Sequence, residues 1–278
     1  MRVELLIIDP QVDFCDPAGN LFVPGADKDC ERLTAMINRI SKKVSDIHVT
    51  LDTHHRFDIA HPAFWINDKG QHPTPFTVIT YDDLKNGVWK AAVPAFQNAK
   101  AFYAAYKRDH FGAEEYVKSL SDNHRYALCV WPPHCLIGHP GHNVSPNVLA
   151  ALDKWEQDHV TGFVDFVTKG SNFWTEHYSA VMADVIDPTD PGTALNTKLI
   201  ETLQAVDIIG ISGEALSHCV ANTIRDIANN FGEENIKKFV LIQDTCSNVP
   251  GFEQLGTDFV REMTSRGMQI STAADFLA

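Results

Sequence analysis

With 278 residues, 44% of them apolar, the chain can bury a large core and suits one enlarged domain or two small ones. A formal charge of −13 argues against a nucleic-acid backbone as partner, and no apolar run is long enough to span a membrane. Six cysteines at irregular spacing argue against a disulfide framework; with no secretory signal expected at the N-terminus, a reducing cytoplasm is the expected compartment.

Val3 to Ile8 reads as a buried strand, and Asp9 stands at its end. A carboxylate at the C-terminal end of a parallel strand is where open α/β sheets place their chemistry; a turn or cap residue is the alternative. Asp13 and Asp16, among Pro10, Pro17 and Gly19, read as turn residues. Asp27 to Lys42 predicts a helix with Leu33, Met36, Ile37 and Ile40 on its apolar face.

Ile47 to Leu51 is the next strand, and it runs into LDTHHRFDIAHPAF. Asp52 and His54 lie two residues apart just past the strand, so they project to one side. Together with His55, Asp58 and His61 they suit a divalent metal with mixed nitrogen and oxygen donors. The alternative is a polar surface loop. Residues 66–120 read as an insertion or lid packed on the core, helical in its second half and broken by Pro94 and Gly112. Its aromatics, Phe96, Phe102, Tyr103, Tyr106, Phe111 and Tyr116, read as packing residues, with substrate contacts or a subunit interface left open.

Tyr126 to Val130 is expected to be a third core strand. WPPHCLIGHPGH follows, and its two prolines hold His134 in place at little further entropy cost. Cys129 and Cys135 match no structural-zinc spacing and read as packing residues. Pro146 to Trp155 predicts a helix with Ser145 as N-cap. Gly162 to Thr168 is a strand that ends at Lys169-Gly170. A lysine there is solvated or, if buried beside a carboxylate, shuttles a proton or stabilises negative charge. Phe173 and Trp174 are candidate pocket walls, and Met182 to Gly192 reads as a polar loop.

Thr197 to Ala205 leads as a helix into the strand Val206 to Ile211, which Gly213 ends. From Val220 the spacing turns helical through Ile224, Ile227, Ala228 and Phe231, with Gly232 as a stop. Cys219 therefore sits where strand hands over to helix, and the unpaired helical N–H groups there favour a thiolate. A buried, inert cysteine is the alternative. Phe239 to Ile242 is a further strand, ended by Asp244 and followed by the helix Glu253 to Ser265. This alternation predicts a mostly parallel sheet with helices on both faces. Asp9, Asp52, His134, Lys169 and Cys219 would gather along one edge of it.

In that order these segments resemble the isochorismatase-like cysteine hydrolases, and within them the chain is most similar to nicotinamidases (pyrazinamidases). The resemblance covers the core of one 1–278 domain of Rossmann-like α/β fold and leaves out the 66–120 insertion. It implies a catalytic triad of Asp9 (LLIIDPQVDFC), Lys169 (VTKGSNF) and Cys219 (GEALSHCV). It implies metal ligands Asp52, His54, His61 (at altered spacing) and His134 (WPPHC), and ring contacts from Phe14 and Trp131. It also implies a cis peptide at Glu214–Ala215 that helps form the oxyanion hole. Ser217 stands where many nicotinamidases carry an acidic residue.

The implied activity is nicotinamide hydrolysis to nicotinate and ammonia through a Cys219 thioester, with one divalent metal positioning a small amide substrate. Zinc is the expected metal, and iron or manganese suits the donors too. A homo-oligomer is left open. Two other readings stand beside this one: a related hydrolase acting on another small amide or carbamoyl compound, and a non-catalytic binding protein on the same fold. Ether hydrolysis of the isochorismate type is disfavoured, because that branch lacks the cysteine.

Overall fold

A computed structural model describes residues 1–94 and 112–278. In chain order the described strands are β1 (Val3–Ile8), β2 (Asp46–Asp52), β3 (Trp65–Ile66), β4 (Thr77–Ile79) and β5 (Lys90–Ala91). They continue as β6 (Leu128–Val130), β7 (Asp165–Lys169), β8 (Ile208–Gly213), β9 (Phe239–Ile242) and β10 (Gln269–Ser271). Six form the central sheet in the order β10-β9-β8-β1-β2-β7, every neighbouring pair parallel.

The apolar run VELLII explains the position of β1. All six of its residues are buried, as a strand covered on both faces requires. Helices flank the sheet. Helix Ala26–Ile40 packs on helix Pro146–Asp158, and helix Ala221–Asn229 on helix Glu253–Ser265. From β1 the strand order runs one way through β2 and the other way through β8. That reversal opens a crevice beyond the carboxyl ends of β1 and β8, the usual ligand position in an open α/β sheet. Close approach of the two strands there needs Gly213: its φ is +116°, and a Cβ would lie 1.9 Å from the Ile8 carbonyl oxygen.

Several expectations need correction. The strand at Leu128–Val130 is not in the central sheet; it pairs antiparallel with β4. Periodicity showed a buried apolar strand and could not show which sheet it joins. The edge strand β10 follows the helix Glu253–Ser265, where the sequence pattern predicted no further strand. Ser145 precedes the helix at Pro146 but makes no side-chain cap, because its hydroxyl donates to Asn147 instead. Asp13 is more than a turn residue: it is buried, and its carboxylate accepts from the N–H groups of Cys135 and Asn20.

The described part of the insertion packs beside the main core as a second apolar cluster, built on Phe64, Trp65, Tyr116, Leu120, Val130 and Trp174. Trp174 belongs to this cluster and Phe173 packs against it, so neither walls the crevice. Phe96, Phe102, Tyr103, Tyr106 and Phe111, with most of the expected helical half, lie outside the described residues. No helix among the described residues is long and apolar enough to cross a membrane.

Candidate active site

Three strand ends bring three charged side chains together. Asp9 follows β1 directly, while Asp52 and Lys169 are the last residues of β2 and β7, paired in register. The Lys169 ammonium lies 2.9 Å from Asp9 Oδ2, 2.9 Å from Asp52 Oδ1 and 3.6 Å from Cys219 Sγ. It also donates to the His177 carbonyl at 2.8 Å. Lys169 is buried, so the solvated alternative falls away.

The Asp9 backbone sits at φ +44°, a left-handed conformation that costs a non-glycine residue about 1 kcal/mol or more. Thr50 holds it there: its hydroxyl accepts the Asp9 N–H at 3.0 Å and donates to the Asp9 carboxylate. Gln11, which the sequence reading passed over, braces Asp52. Its side chain accepts the Asp52 N–H at 2.7 Å and donates to the Asp52 carbonyl at 2.8 Å.

Beyond β8 the Glu214–Ala215 peptide is cis, and a π-helical turn at Leu216–Val220 carries Cys219. The surroundings of Cys219 work against the thiolate that a helix start favours. Burial pushes the Cys219 thiol well above its usual range; Lys169 opposes the rise, and Asp9 and Asp52 add to it. Burial likewise raises the Asp9 carboxyl, against the pull of Lys169. Burial alone would lower Lys169, but the charges of Asp52 and Asp9 hold it well above its ordinary value. The arrangement sets a thiol and a carboxyl, both of raised basicity, beside an ammonium held by two acidic groups.

Next to this group Asp52, His54 and His134 bring one ligand atom each into a buried cluster. Asp52 Oδ2 lies 3.0 Å from His54 Nε2 and 3.2 Å from His134 Nε2. The other ring nitrogens are occupied. His54 Nδ1 faces Asp58 Oδ2 at 3.0 Å, and His134 Nδ1 faces the Pro132 carbonyl at 2.9 Å. That pattern fixes the tautomer and leaves each Nε2 lone pair for a cation.

Glu176, unmarked by any spacing in the sequence, reaches the same point. Its Oε1 is 3.9 Å from His54 Nε2, and its Oε2 is buried without a hydrogen-bond partner. Burial lifts its pKa to about 8. Burial pulls the His54 pKa down, but Asp52 and Asp58 hold it well above its ordinary value, so a cation there would take the place of a proton. Two Nε2 atoms, the Asp52 carboxylate and a nearby buried carboxyl form a donor set that fits a divalent cation. His61 is buried nearby, but its ligand atoms stay outside the group. Its Nδ1 faces the His55 carbonyl at 3.1 Å and its Nε2 faces His134 Nδ1 at 3.4 Å.

A narrow, mostly apolar pocket opens onto Cys219. Phe14, Trp131 and His134 line it, joined by Tyr178 and His218. The Phe14 ring lies 5.3 Å from that of His134, and the Trp131 ring 5.2 Å from that of His218. The structure thus places Phe14 and Trp131 beside the sulfur. It adds Tyr178 and His218, which carried no signal beyond their nearness in the chain to Lys169 and Cys219.

No protein-family model and no curated protein matches the chain. Solved structures match it in fold along nearly its whole length. A nicotinamidase/pyrazinamidase of Acinetobacter baumannii shares 19% identity at a TM-score of 0.62, covering 99% of this chain and 98% of its own. The yeast nicotinamidase bound to the inhibitor nicotinaldehyde shares 17% at 0.64, covering 97% and 99%. A Pyrococcus horikoshii pyrazinamidase in complex with zinc shares 18% at 0.53, covering 98% and 99%. At such identities the likeness is one of fold.

Proposed function

We propose that the chain is a cysteine amidohydrolase that hydrolyses nicotinamide to nicotinate and ammonia. The observation that carries the reading is the Lys169 ammonium, set between the Asp9 carboxylate and the Cys219 sulfur in a buried crevice. Fold likeness to nicotinamidases and the narrow aromatic-lined pocket at Cys219 support it. Six unpaired cysteines suit a cytoplasmic setting.

Asp9 takes the thiol proton, and Lys169 holds the two groups together and offsets the charge that moves between them. The sulfur attacks the carboxamide carbon, forming the C–S bond and placing a negative charge on oxygen. The N–H groups of Ala215 and Cys219 receive that oxyanion; loss of one such donor costs about 100- to 1,000-fold. Asp9 returns its proton to the nitrogen as the C–N bond breaks and ammonia leaves. It then deprotonates a water that opens the thioester, releasing the acid and restoring the thiol. Phe14 and Trp131 would flank the substrate ring. Asp52, His54 and His134, with Glu176 beside them, would hold a divalent cation, zinc being the expected ion, which supplies an electrophilic anchor for a ring nitrogen.

The test is ammonia release from nicotinamide by metal-replete protein. Release that disappears in Cys219→Ala, with the melting temperature kept, is the expected result. Full activity in that variant would overturn the mechanism. No release by the wild type, but release from another small carboxamide or ureido acid, would move the substrate and keep the chemistry.

A further inference from the structure

The loop after β9 grips the chain on both sides of Ala215. The Ser247 N–H donates to Glu214 Oε2 at 3.0 Å, and the Ser247 carbonyl accepts the Leu216 N–H at 2.8 Å. Ser247 is itself anchored: its hydroxyl donates to Asp29 Oδ2, and Asp29 Oδ1 accepts from Arg32 on the helix Ala26–Ile40. On the opposite side the Glu214 N–H donates to the carbonyl of Ile8 at 2.8 Å. Ala215 is thus suspended between two fixed neighbours. Its own N–H has no acceptor among the described residues, so only this bracket aims it.

The Glu214 side chain needs a reason to be where it is. It is 1% exposed and does not line the pocket at Cys219. Burying a carboxyl costs free energy that an apolar side chain of similar volume would avoid. Burial drives the group well above the usual carboxylate range, and the Asp29 charge adds to that. What it offers and leucine lacks is an acceptor for the Ser247 N–H.

We propose that the Glu214 side chain is a positioning residue for the oxyanion site: by holding Ser247 it fixes the direction of the Ala215 N–H. This rests on the amide hydrolysis proposed above. An oxyanion donor must lie about 2.7–3.1 Å from where the charged oxygen will be. A shift of about 1 Å costs on the order of 100-fold in rate.

The experiment compares the metal-replete wild type with Glu214→Leu and Glu214→Gln. The readouts are kcat, KM for nicotinamide, and inhibition by nicotinaldehyde and by nicotinate. The aldehyde carbon bonds reversibly to the Cys219 sulfur, and the thiol proton ends on the former carbonyl oxygen, which occupies the oxyanion position. Nicotinate makes no such adduct. In Glu214→Leu kcat is expected to fall about 100-fold with KM within about twofold. Nicotinaldehyde inhibition weakens in step while nicotinate inhibition holds. Glu214→Gln keeps an oxygen acceptor of the same reach and stays within about threefold of wild type.

Unchanged kcat in Glu214→Leu, equal loss of aldehyde and nicotinate inhibition, or a Glu214→Gln enzyme as poor as Glu214→Leu would overturn the proposal. Should Glu214→Leu fail to fold, Ser247→Ala frees the loop only from Asp29. It is expected to lose about tenfold in kcat and in aldehyde inhibition alone; full wild-type behaviour there overturns the role. A wild type that hydrolyses no carboxamide overturns the hydrolase reading and this role with it, whereas an active wild type with indifferent variants overturns this role alone.

Discussion

Strands β1, β2 and β7 carry a charged cluster at each end, and the two clusters behave differently. At the C-terminal ends stand Asp9, Asp52 and Lys169. Toward the N-terminal ends stand Glu4, His48 and Asp165. Both ends also hold a candidate metal group, Asp52, His54 and His134 at one and Glu4, Asp46 and His48 at the other. At the second, His48 and Glu4 are held by ion pairs, and Asp46 Oδ1 accepts the Ile47 N–H at 2.9 Å. His48 Nε2 lies 3.1 Å from Glu4 Oε2, His48 Nδ1 lies 2.8 Å from Asp165 Oδ2, and Arg2 covers Glu4 Oε1 at 2.7 Å. At the first, the Nε2 atoms of His54 and His134 both face Asp52 Oδ2, and Glu176 Oε2 is buried with no hydrogen-bond partner among the described residues. Charge and burial alone do not make a site. Groups left unsatisfied, next to a crevice where strand order reverses, do.

The largest effect that can break this comparison is loss of turnover. Cys219→Ala should lower ammonia release from nicotinamide about 10,000-fold or more, since removing a nucleophile removes the covalent route. Asp9→Asn should come close to it, because the carboxamide cannot take the thiol proton. Glu4→Gln, at the other end of the same strand as Asp9, should stay within about twofold in kcat, given a surface-like insensitivity of the reaction to groups far from it. A comparable loss of kcat in folded Glu4→Gln would show that the two ends are not separate.

The contrast between the ends also explains what could be read from the chain. Asp9, Asp52 and Lys169 were legible because each stands at the end of a strand, and Cys219 because it sits where a strand hands over to a helix; strand ends in a parallel sheet converge whatever the loops do. Glu176 was not, since it lies in the irregular stretch after β7, where no periodicity fixes its direction. His61 could not be placed from sequence: abundance of histidine cannot say where a ring nitrogen points, and here His61 Nε2 faces His134 Nδ1 at 3.4 Å. Leu128–Val130 was given to the wrong sheet because antiparallel pairing with Thr77–Ile79 depends on a partner that the local pattern does not name. The upward shift of the Cys219 thiol was hidden for a related reason. A helix N-terminus is visible in sequence, but the burial and the two carboxylates that outweigh it are not.

Metal content gives the next largest effect. We expect one equivalent per chain after loading with zinc, removed by a chelator together with activity. Asp58→Asn, which loosens the ring of His54, should weaken affinity about 10- to 100-fold. His48→Gln should leave the stoichiometry at one. A second equivalent that vanishes in His48→Gln would make the two ends alike and sink the distinction drawn here.

The N-terminal cluster should instead show itself as stability. Burial alone would lower the His48 pKa, but the hydrogen bonds to Glu4 and Asp165 outweigh it and the net shift is upward. A raised folded-state value means that the contribution is fully present below the unfolded value of about 6.5 and is lost as pH rises through the folded one. Relative to His48→Gln, the wild type should be about 2 kcal/mol more stable at pH 5.5, with the gap narrowing above pH 6.5. Chemical denaturation of both proteins across that range measures it, and a gap that widens with rising pH would contradict the imidazolium assignment.

Asp165→Asn should have the smallest effect, and the reason separates the two carboxylates that face His48. Glu4 is fully buried, whereas the Asp165 side chain is 53% exposed, so water screens its attraction to the ring. Removing its charge should cost less than about 1 kcal/mol at pH 5.5 and lower the midpoint of the His48-dependent transition only slightly. Because Asp165 sits on the same strand as Lys169, four residues away, the variant also tests whether β7 passes strain between the ends. A stability loss of that size with unchanged kcat keeps the ends independent. A matching fall in kcat would mean that β7 couples them, and that the lower cluster sets the position of Lys169.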